Sequence, residues 1–270
     1  MKYLWIIFLF ATARLQAQEL FVYTEPASNM PTRSLGVRLT NMLMDERGTE
    51  KYEYHVVPEA MWGVNKRLMV HANAFISNAA NNLKAEGGSI YAKYRFLSSD
   101  AVHSHFRMAG YGKYSFNNSA IHQQEIDLFG HNSGWQAGVV ATQLIHKVAV
   151  SANVSYLQAT DNGSLNKFPV TEANKAVSYS LSLGKLMLPK EYVDYNQTNI
   201  NVMVELLGQT LGNNKGSYLD IAPSLQLIIK SQARIDIGYR YQLMSSMARS
   251  APNGFLLRFE YLIFNAFKKH

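Results

Sequence analysis

The stretch that decides the fold lies at the end of the chain and reads Asn253-Gly254-Phe255-Leu256-Leu257-Arg258-Phe259-Glu260-Tyr261-Leu262-Ile263-Phe264-Asn265-Ala266-Phe267. Its two faces alternate with a period of two residues, which predicts a β-strand rather than a helix. One face is long and aromatic, whereas the other carries Arg258 and Glu260. This pattern is typical of the closing strand of a membrane-spanning barrel, with lipid outside and charges inside. On this stretch alone, an amphipathic strand of a soluble all-β domain is the alternative.

The beginning of the chain, residues 1–18, is interpreted as a secretory signal peptide. Lys2 lies near the start, and the apolar run that follows is shorter than the roughly 20 residues that span a bilayer. Cleavage is expected near Ala17 or Gln18, and an uncleaved anchor is the alternative.

A lead-in segment, residues 19–32, is predicted to follow the signal peptide. Pro26 and Pro31 interrupt any regular structure there. We expect this segment either in the periplasm or tucked into the mouth of the barrel.

The composition excludes several classes of protein. The chain has 270 residues and no cysteine, so it can form neither disulfides nor thiolate metal sites. Its formal net charge of +7 comes in no runs, which argues against a nucleic-acid surface. No apolar run after the signal peptide is long enough for a membrane helix. A membrane protein with this sequence must therefore be a closed barrel, because lipid satisfies no backbone hydrogen bonds.

Twelve segments of the chain have the alternation of a strand. They cover residues 34–44, 54–64, 67–77, 89–97, 105–116, 135–145, 148–156, 177–183, 199–206, 219–227, 234–241 and 253–267. Many approach the 9–11 residues that a tilted membrane strand needs, and the connections alternate between short and long. The sequence therefore predicts an all-β fold: an antiparallel up-and-down transmembrane β-barrel of about 12 strands over residues 33–270, with both ends on the periplasmic side.

Charged residues on the polar faces of these strands are predicted to point into the lumen. They are Glu59, Lys93, Arg95, Arg107, Lys113, Glu205, Asp220, Asp236, Arg240, Arg258 and Glu260. A register slip of one residue would turn them toward lipid, at about 2–4 kcal/mol for each Arg or Lys at the midplane. They form either a salt-bridged interior that keeps the barrel rigid or a polar constriction that selects what passes.

Three runs of sequence carry a family resemblance. They are Val57-Pro58-Glu59-Ala60-Met61-Trp62-Gly63-Val64-Asn65-Lys66-Arg67-Leu68, Ile90-Tyr91-Ala92-Lys93-Tyr94-Arg95-Phe96-Leu97, and Ile221-Ala222-Pro223-Ser224-Leu225-Gln226 followed by Ser231-Gln232-Ala233-Arg234-Ile235-Asp236-Ile237-Gly238-Tyr239. In these runs the chain resembles the meta-pathway phenol-degradation barrels, an outer-membrane transporter family. The resemblance covers most of the mature chain and implies passage of small, often hydrophobic, compounds. It transfers no functional residue.

Two groups of histidines offer metal donors: His103 with His105, and His122 and His131 with Glu125 and Asp127. Imidazole and carboxylate together suit zinc, nickel or copper. The spacing is loose, and a solvated polar loop is the interpretation that we adopt. We therefore predict no metal site and no cofactor.

The run His131-Asn132-Ser133-Gly134 resembles outer-membrane phospholipase A, which is also a twelve-stranded barrel. Hydrolysis would need a serine activated by a histidine that a third group orients. The sequence offers no separate polar partner at that family's spacing, so we predict that the protein is not an enzyme.

The favoured function is a passive channel or transporter for small, possibly hydrophobic, solutes in the outer membrane of a Gram-negative bacterium. The alternative is a closed structural or partner-binding barrel. The expected partners are outer-membrane lipid, the barrel-assembly machinery through the C-terminal strand, and an unidentified solute.

The closing strand provides a test of the two faces. Arg258 and Glu260 share the inward face with Asp236 and Arg240 of the neighbouring strand, which predicts at least one cross-strand ion pair. Phe259→Arg would place a charge in lipid, at about 2–4 kcal/mol near the midplane. It should therefore reduce the heat-modifiable, folded barrel recovered from outer membranes more than Arg258→Leu does, although the latter deprives a buried carboxylate of its partner. Normal assembly of the first variant with failure of the second would show that the faces are assigned backwards.

Overall fold

The structure is a computed structural model that describes residues 21–45, 52–78, 82–101, 104–189, 196–212 and 215–267. The predicted signal peptide, the first two residues of the lead-in segment and the last three residues of the chain lie outside the described residues. Within them, no helix has the length and apolar character needed to cross a membrane.

Twelve antiparallel strands form a closed barrel in which each strand pairs with its sequence neighbours. The strands are β1 (Leu35–Asp45), β2 (Tyr52–Gly63), β3 (Leu68–Ser77), β4 (Lys84–Ala101), β5 (Ser104–Asn117), β6 (Ser133–Ile145), β7 (Val148–Thr160), β8 (Lys175–Leu188), β9 (Asn199–Leu211), β10 (Ser217–Ile229), β11 (Ala233–Ser245) and β12 (Asn253–Ile263). The predicted fold class and strand number are confirmed.

The barrel closes where β1 pairs with β12. Eleven consecutive residue pairs run without a bulge from Leu35 opposite Ile263 to Asp45 opposite Asn253. On β12, the aromatic face of the opening stretch points outward, with Phe259 43% exposed, whereas Arg258 and Glu260 are each 7% exposed. The alternation seen in the sequence therefore separates the outside of the barrel from its inside.

The two ends of the barrel differ in their connections. At one end, called the terminal end, β1 begins, β12 ends, and the connections are residues 64–67, 102–103, 146–147, 189–198 and 230–232. At the other, called the loop end, they are residues 46–51, 78–83, 118–132, 161–174, 212–216 and 246–252. The longest connections, 118–132 and 161–174, lie at the loop end, as the alternation of lengths predicted.

One strand begins earlier than the sequence indicated. Gly87 and Gly88 were expected in a loop, but they belong to β4 and pair with Asn117 and Phe116 of β5. A side chain on Gly87 would come within 2.0 Å of the Phe116 carbonyl oxygen, so the two backbones meet there at a distance that only glycine allows. The prediction was wrong because glycine lowers strand propensity, whereas pairing with a neighbouring strand overrides it.

Candidate functional site: the barrel interior

The described part of the lead-in segment, residues 21–32, lies inside the barrel and is called the inner segment. Its apolar side chains are buried against inward-facing residues of the wall. Phe21 and Val22 pack in a cluster with β6, β7, β9 and β12, and Ala27 packs with β5 and β6. Met30 packs with β2, β3 and β12. Because these contacts lie on different sides of the wall, the inner segment crosses the lumen.

Glu205 on β9 holds the start of the inner segment. Its Oε1 accepts hydrogen bonds from the amides of Val22 (2.9 Å) and Tyr23 (2.8 Å), and its Oε2 accepts from the amide of Thr24 (3.0 Å). The Thr24 hydroxyl donates to the same oxygen at 2.6 Å, and Ser182 donates to it at 3.1 Å. A fully buried carboxylate is costly unless hydrogen bonded, so this carboxylate and the otherwise unpaired amides of an irregular segment stabilise each other.

Cations of the wall bind the carbonyl groups of the inner segment. Arg258 Nη1 donates to the Val22 carbonyl at 2.6 Å. Lys93 Nζ, which is fully buried, donates to the carbonyls of Pro26 (2.6 Å) and Ser28 (2.8 Å). Polar side chains of the wall therefore form hydrogen bonds with the backbone of the inner segment along much of that segment.

A cluster of charges surrounds Arg38 of β1, an inward-facing residue that sequence reasoning did not select. Arg38 contacts Glu260 at 2.7 Å, Glu25 of the inner segment at 3.0 Å and Glu59 at 3.5 Å. Glu59 also contacts His71 at 2.5 Å. Burial raises the pKa of the Glu25 carboxyl, but Arg38 and Lys93 outweigh that effect and hold the pKa well below its ordinary value. Glu25 is therefore an anion that joins the inner segment to the wall.

A second cluster lies at the loop end around Arg249 of the connection 246–252. Arg249 contacts Glu125 at 2.8 Å and Asp220 at 2.7 Å, and its guanidinium lies 3.8 Å from the centre of the Tyr218 ring. Arg240 contacts Asp220 at 2.6 Å. The cluster joins two connections of the loop end to strands β10 and β11, so residues 118–132 are held folded into the barrel.

The ion pair predicted between β12 and β11 is present: Arg258 Nη1 lies 3.8 Å from Asp236 Oδ2, and the two residues are register partners. Asp236 also lies 3.1 Å from Arg234, which in turn contacts Glu260 at 2.8 Å. The sequence did not single out Arg234, although it shares the inward parity of Asp236.

The remaining predicted residues take different positions. Arg107 is buried and contacts Ser28 of the inner segment at 2.9 Å and Asp100 at 2.9 Å. Lys113 lies 4.9 Å from the centre of the Phe129 ring, inside the barrel. Arg95 donates to the carbonyl of Lys66 in the connection 64–67, so it lies at the terminal end.

Between the inner segment and the connection 118–132 lies a cavity of about 330 Å³. Charged groups from both clusters line it, among them Arg38, Glu59 and Arg240, together with the aromatic rings of Tyr91 and Tyr111. The cavity therefore offers apolar ring faces and charged groups side by side.

The histidines that the sequence singled out separate in space. His105 contacts Asp100 at 2.8 Å on the wall, and His103 lies outside the described residues. His122 is exposed, whereas His131 reaches into the barrel and its ring centre lies 4.9 Å from that of His55 on β2. Glu125 is bound by Arg249, so the four loop residues do not meet as one group.

Ser133 has a structural role. Its hydroxyl accepts a hydrogen bond from the Asn117 amide at 2.8 Å and donates to the Asn117 carbonyl at 3.1 Å. Because both bonds tie the hydroxyl to the backbone, the arrangement gives no sign of a serine activated by His131.

Comparison with known proteins finds no family model and no curated protein that matches the sequence. Solved structures do match. An outer membrane channel from Pseudomonas putida F1 aligns over 90% of this chain and 100% of its own, with 11% identity and a TM-score of 0.56. The KdgM porin aligns over 84% of this chain and 98% of its own, with 7% identity and a TM-score of 0.50. The chain thus has the barrel fold of these channels, and identities this low establish the fold alone.

The hydrogen bonds of Glu205 generate a prediction about the inner segment. In Glu205→Gln, an NH₂ group replaces one acceptor oxygen, so either Thr24 or the Val22 and Tyr23 amides lose their acceptor. Each lost bond to a charged group costs about 1.5–3 kcal/mol. Because the chain lacks cysteine, Ala27→Cys adds a single thiol at a fully buried site. We expect a maleimide to label that thiol at least about tenfold faster in the Glu205→Gln background, since each 1.4 kcal/mol is a factor of ten.

Asp220→Asn is the matched control, because it neutralises another fully buried carboxylate that bonds to Arg249 and Arg240 rather than to the inner segment. Labelling of Ala27→Cys in the otherwise unchanged barrel as fast as that of Leu165→Cys, a site that is 91% exposed, would contradict the buried position of the inner segment.

Proposed function

We propose that this protein is a passive outer-membrane channel for small solutes, and that its inner segment is the constriction. The main support for this proposal is a closed twelve-stranded barrel that encloses a cavity of about 330 Å³, in a fold that solved outer-membrane channels share. The outward face supports a membrane location, since it leaves large apolar side chains such as Ile90 (60% exposed) and Tyr261 (51% exposed) uncovered.

The orientation follows from export. A secreted chain whose closing strand is handed to the barrel-assembly machinery would leave its terminal end in the periplasm and its long loops outside. In that orientation the inner segment occupies the periplasmic part of the lumen, and the connection 118–132 narrows the external part.

The lining of the cavity supports a solute that combines a ring with a polar or charged substituent. Tyr91, Tyr111 and Phe129 offer ring faces for stacking, and Arg38 and Lys113 lie beside them. A small phenolic compound has this composition, which agrees with the resemblance to the meta-pathway phenol-degradation barrels.

A specific observation favours a second function, that of a closed barrel whose loops bind a partner. The inner segment crosses the lumen toward the terminal end, and residues 118–132 are bound inside the loop end by Arg249. A barrel that holds both segments permanently would be a scaffold rather than a channel.

Conductance in planar bilayers distinguishes the two functions. The unaltered mature chain should conduct above the background of the bilayer, and deletion of residues 21–30 should raise its conductance severalfold, because the lumen would fill with water instead of peptide. Swelling of liposomes with a small phenolic acid should exceed swelling with a sugar of similar mass.

The control for the deletion is Leu165→Ala, a change at an exposed residue of the connection 161–174 that leaves both the inner segment and the Arg249 cluster in place. A silent unaltered chain, in bilayers and in liposomes, together with a conducting deletion variant, would reject the channel and support the closed barrel.

A further inference from the structure

Three potential metal ligands meet inside the loop end of the barrel. Glu53 and His55 lie two residues apart on β2 and therefore share its inward face, and His131 comes from the connection 118–132. One donor atom from each of the three lies within 4.8 Å of the other two. Glu53 and His55 are only 7% and 3% exposed, so the group is shielded from bulk water.

Two donor atoms of this group lack the hydrogen bonds that buried polar atoms require. Glu53 Oε1 and His55 Nε2 lie 2.9 Å apart, yet the ring and the carboxylate are not aligned for a hydrogen bond, and neither atom has another partner among the described residues. Buried polar atoms without an aligned hydrogen bond are unfavourable. A cation between them would satisfy both lone pairs at once.

The turn that presents His131 is fixed by hydrogen bonds. Asn132 donates its amide to the Asp127 carbonyl at 2.7 Å, and Asn162 Nδ2 donates to the His131 carbonyl at 2.7 Å. Gly130 has a φ of +144°, a conformation that favours glycine, and it lies directly beside the His55 ring. His131 is therefore held against β2 by its own turn, before any ligand binds.

We propose that Glu53, His55 and His131 form a binding site for a divalent transition-metal ion of the zinc class. Two imidazoles and one carboxylate are a ligand set that zinc uses in sites with an open fourth position. Ligand atoms around a tetrahedral zinc ion, with bonds of about 2.0–2.2 Å, lie roughly 3.3 Å apart. Changes of about 1.5 Å or less in the separations of the three donors would bring them to that spacing, whereas calcium and magnesium prefer all-oxygen sites.

Asp127 is positioned to orient His131 from outside the ligand set. Its Oδ2 lies 3.8 Å from His131 Nε2. A carboxylate beside a ligating histidine is a common outer partner in metal sites.

The site would join the connection 118–132 to β2, whereas the Arg249 cluster joins the same connection to β10 and β11. His55 and His131 also line the cavity, so the open position of the metal would face the space that a solute enters. This inference depends only on the three donors and holds whether or not the barrel conducts.

Zinc titration of the untagged mature chain, folded in detergent and stripped with a chelator, tests the site. We expect one equivalent of Zn²⁺ to bind at neutral pH in a calorimeter, and magnesium to give no signal. His55→Gln and His131→Gln, which conserve much of the side-chain volume, should each weaken zinc binding by at least about 100-fold. Asp127→Asn should weaken it by about 10–100-fold, the usual effect of an outer partner.

His122→Ala is the matched control, because it removes an exposed histidine from the same connection and should leave zinc affinity unchanged. Heat-modifiable migration shows whether each variant is folded. Should a ligand variant fail to fold, the electron paramagnetic resonance spectrum of Cu²⁺ in the unaltered chain still reports the ligands, and coupling to two imidazole nitrogens is expected. The proposal is overturned if the unaltered chain binds no zinc, if the His55→Gln/His131→Gln double variant keeps full affinity, or if the copper spectrum shows no imidazole nitrogen.

Discussion

Pairing of β1 with β12 turns a twelve-stranded sheet into a tube, and that closure gives every strand one face toward the outside and one toward an enclosed space. The enclosed face can then carry charges that an open sheet would leave in water. Arg38 and Glu260 illustrate the consequence: they lie on the two strands of the seam, are direct register partners, and contact each other at 2.7 Å. A shift of β1 against β12 by one residue would separate this pair and turn one of the two charges outward, so the ion pair and the register support each other.

The enclosed charges are compensated by peptide groups as well as by one another. Glu205 receives three amides, and Lys93 donates to two carbonyls of the same segment. An irregular segment cannot satisfy the hydrogen bonds of its own backbone, and buried unpaired ions are costly. The inner segment therefore supplies amide and carbonyl partners for the charged side chains of the wall, and these side chains satisfy its backbone groups. Several inward-facing charges, among them Glu205, Lys93 and Arg258, thus bind the peptide backbone of the inner segment.

The sequence predicted the features that depend on alternation along a strand. It could not predict the contacts that a strand makes with a segment from a distant part of the chain. The outward position of Phe259 follows from its own strand. The burial of Met203 and Leu256 on the inward face does not, because these residues are apolar where the alternation calls for polar ones, and their purpose is to contact Phe21 and Val22. Apolar residues on an inward face are therefore a sequence signal of a segment inside the barrel, since a water-filled lumen would leave them exposed to water.

The contacts of Arg249 and of the group around His131 could not be predicted from the sequence either. At the loop end, residues far apart in the chain meet only because a connection folds inward. The two segments inside the lumen, residues 118–132 and the inner segment, are also held by different interactions. At the loop end, one guanidinium joins two buried carboxylates, and removing one partner of such a group leaves an uncompensated charge, at about 3–5 kcal/mol. Toward the terminal end, the inner segment is held by the ion pair of Glu25 with Arg38, by the hydrogen bonds that Glu205 accepts, and by the apolar contacts of Phe21 and Met30. Displacement of the inner segment would leave Glu205 and Lys93 buried without their peptide partners, so the charged groups of the wall hold the inner segment in the lumen as well as residues 118–132.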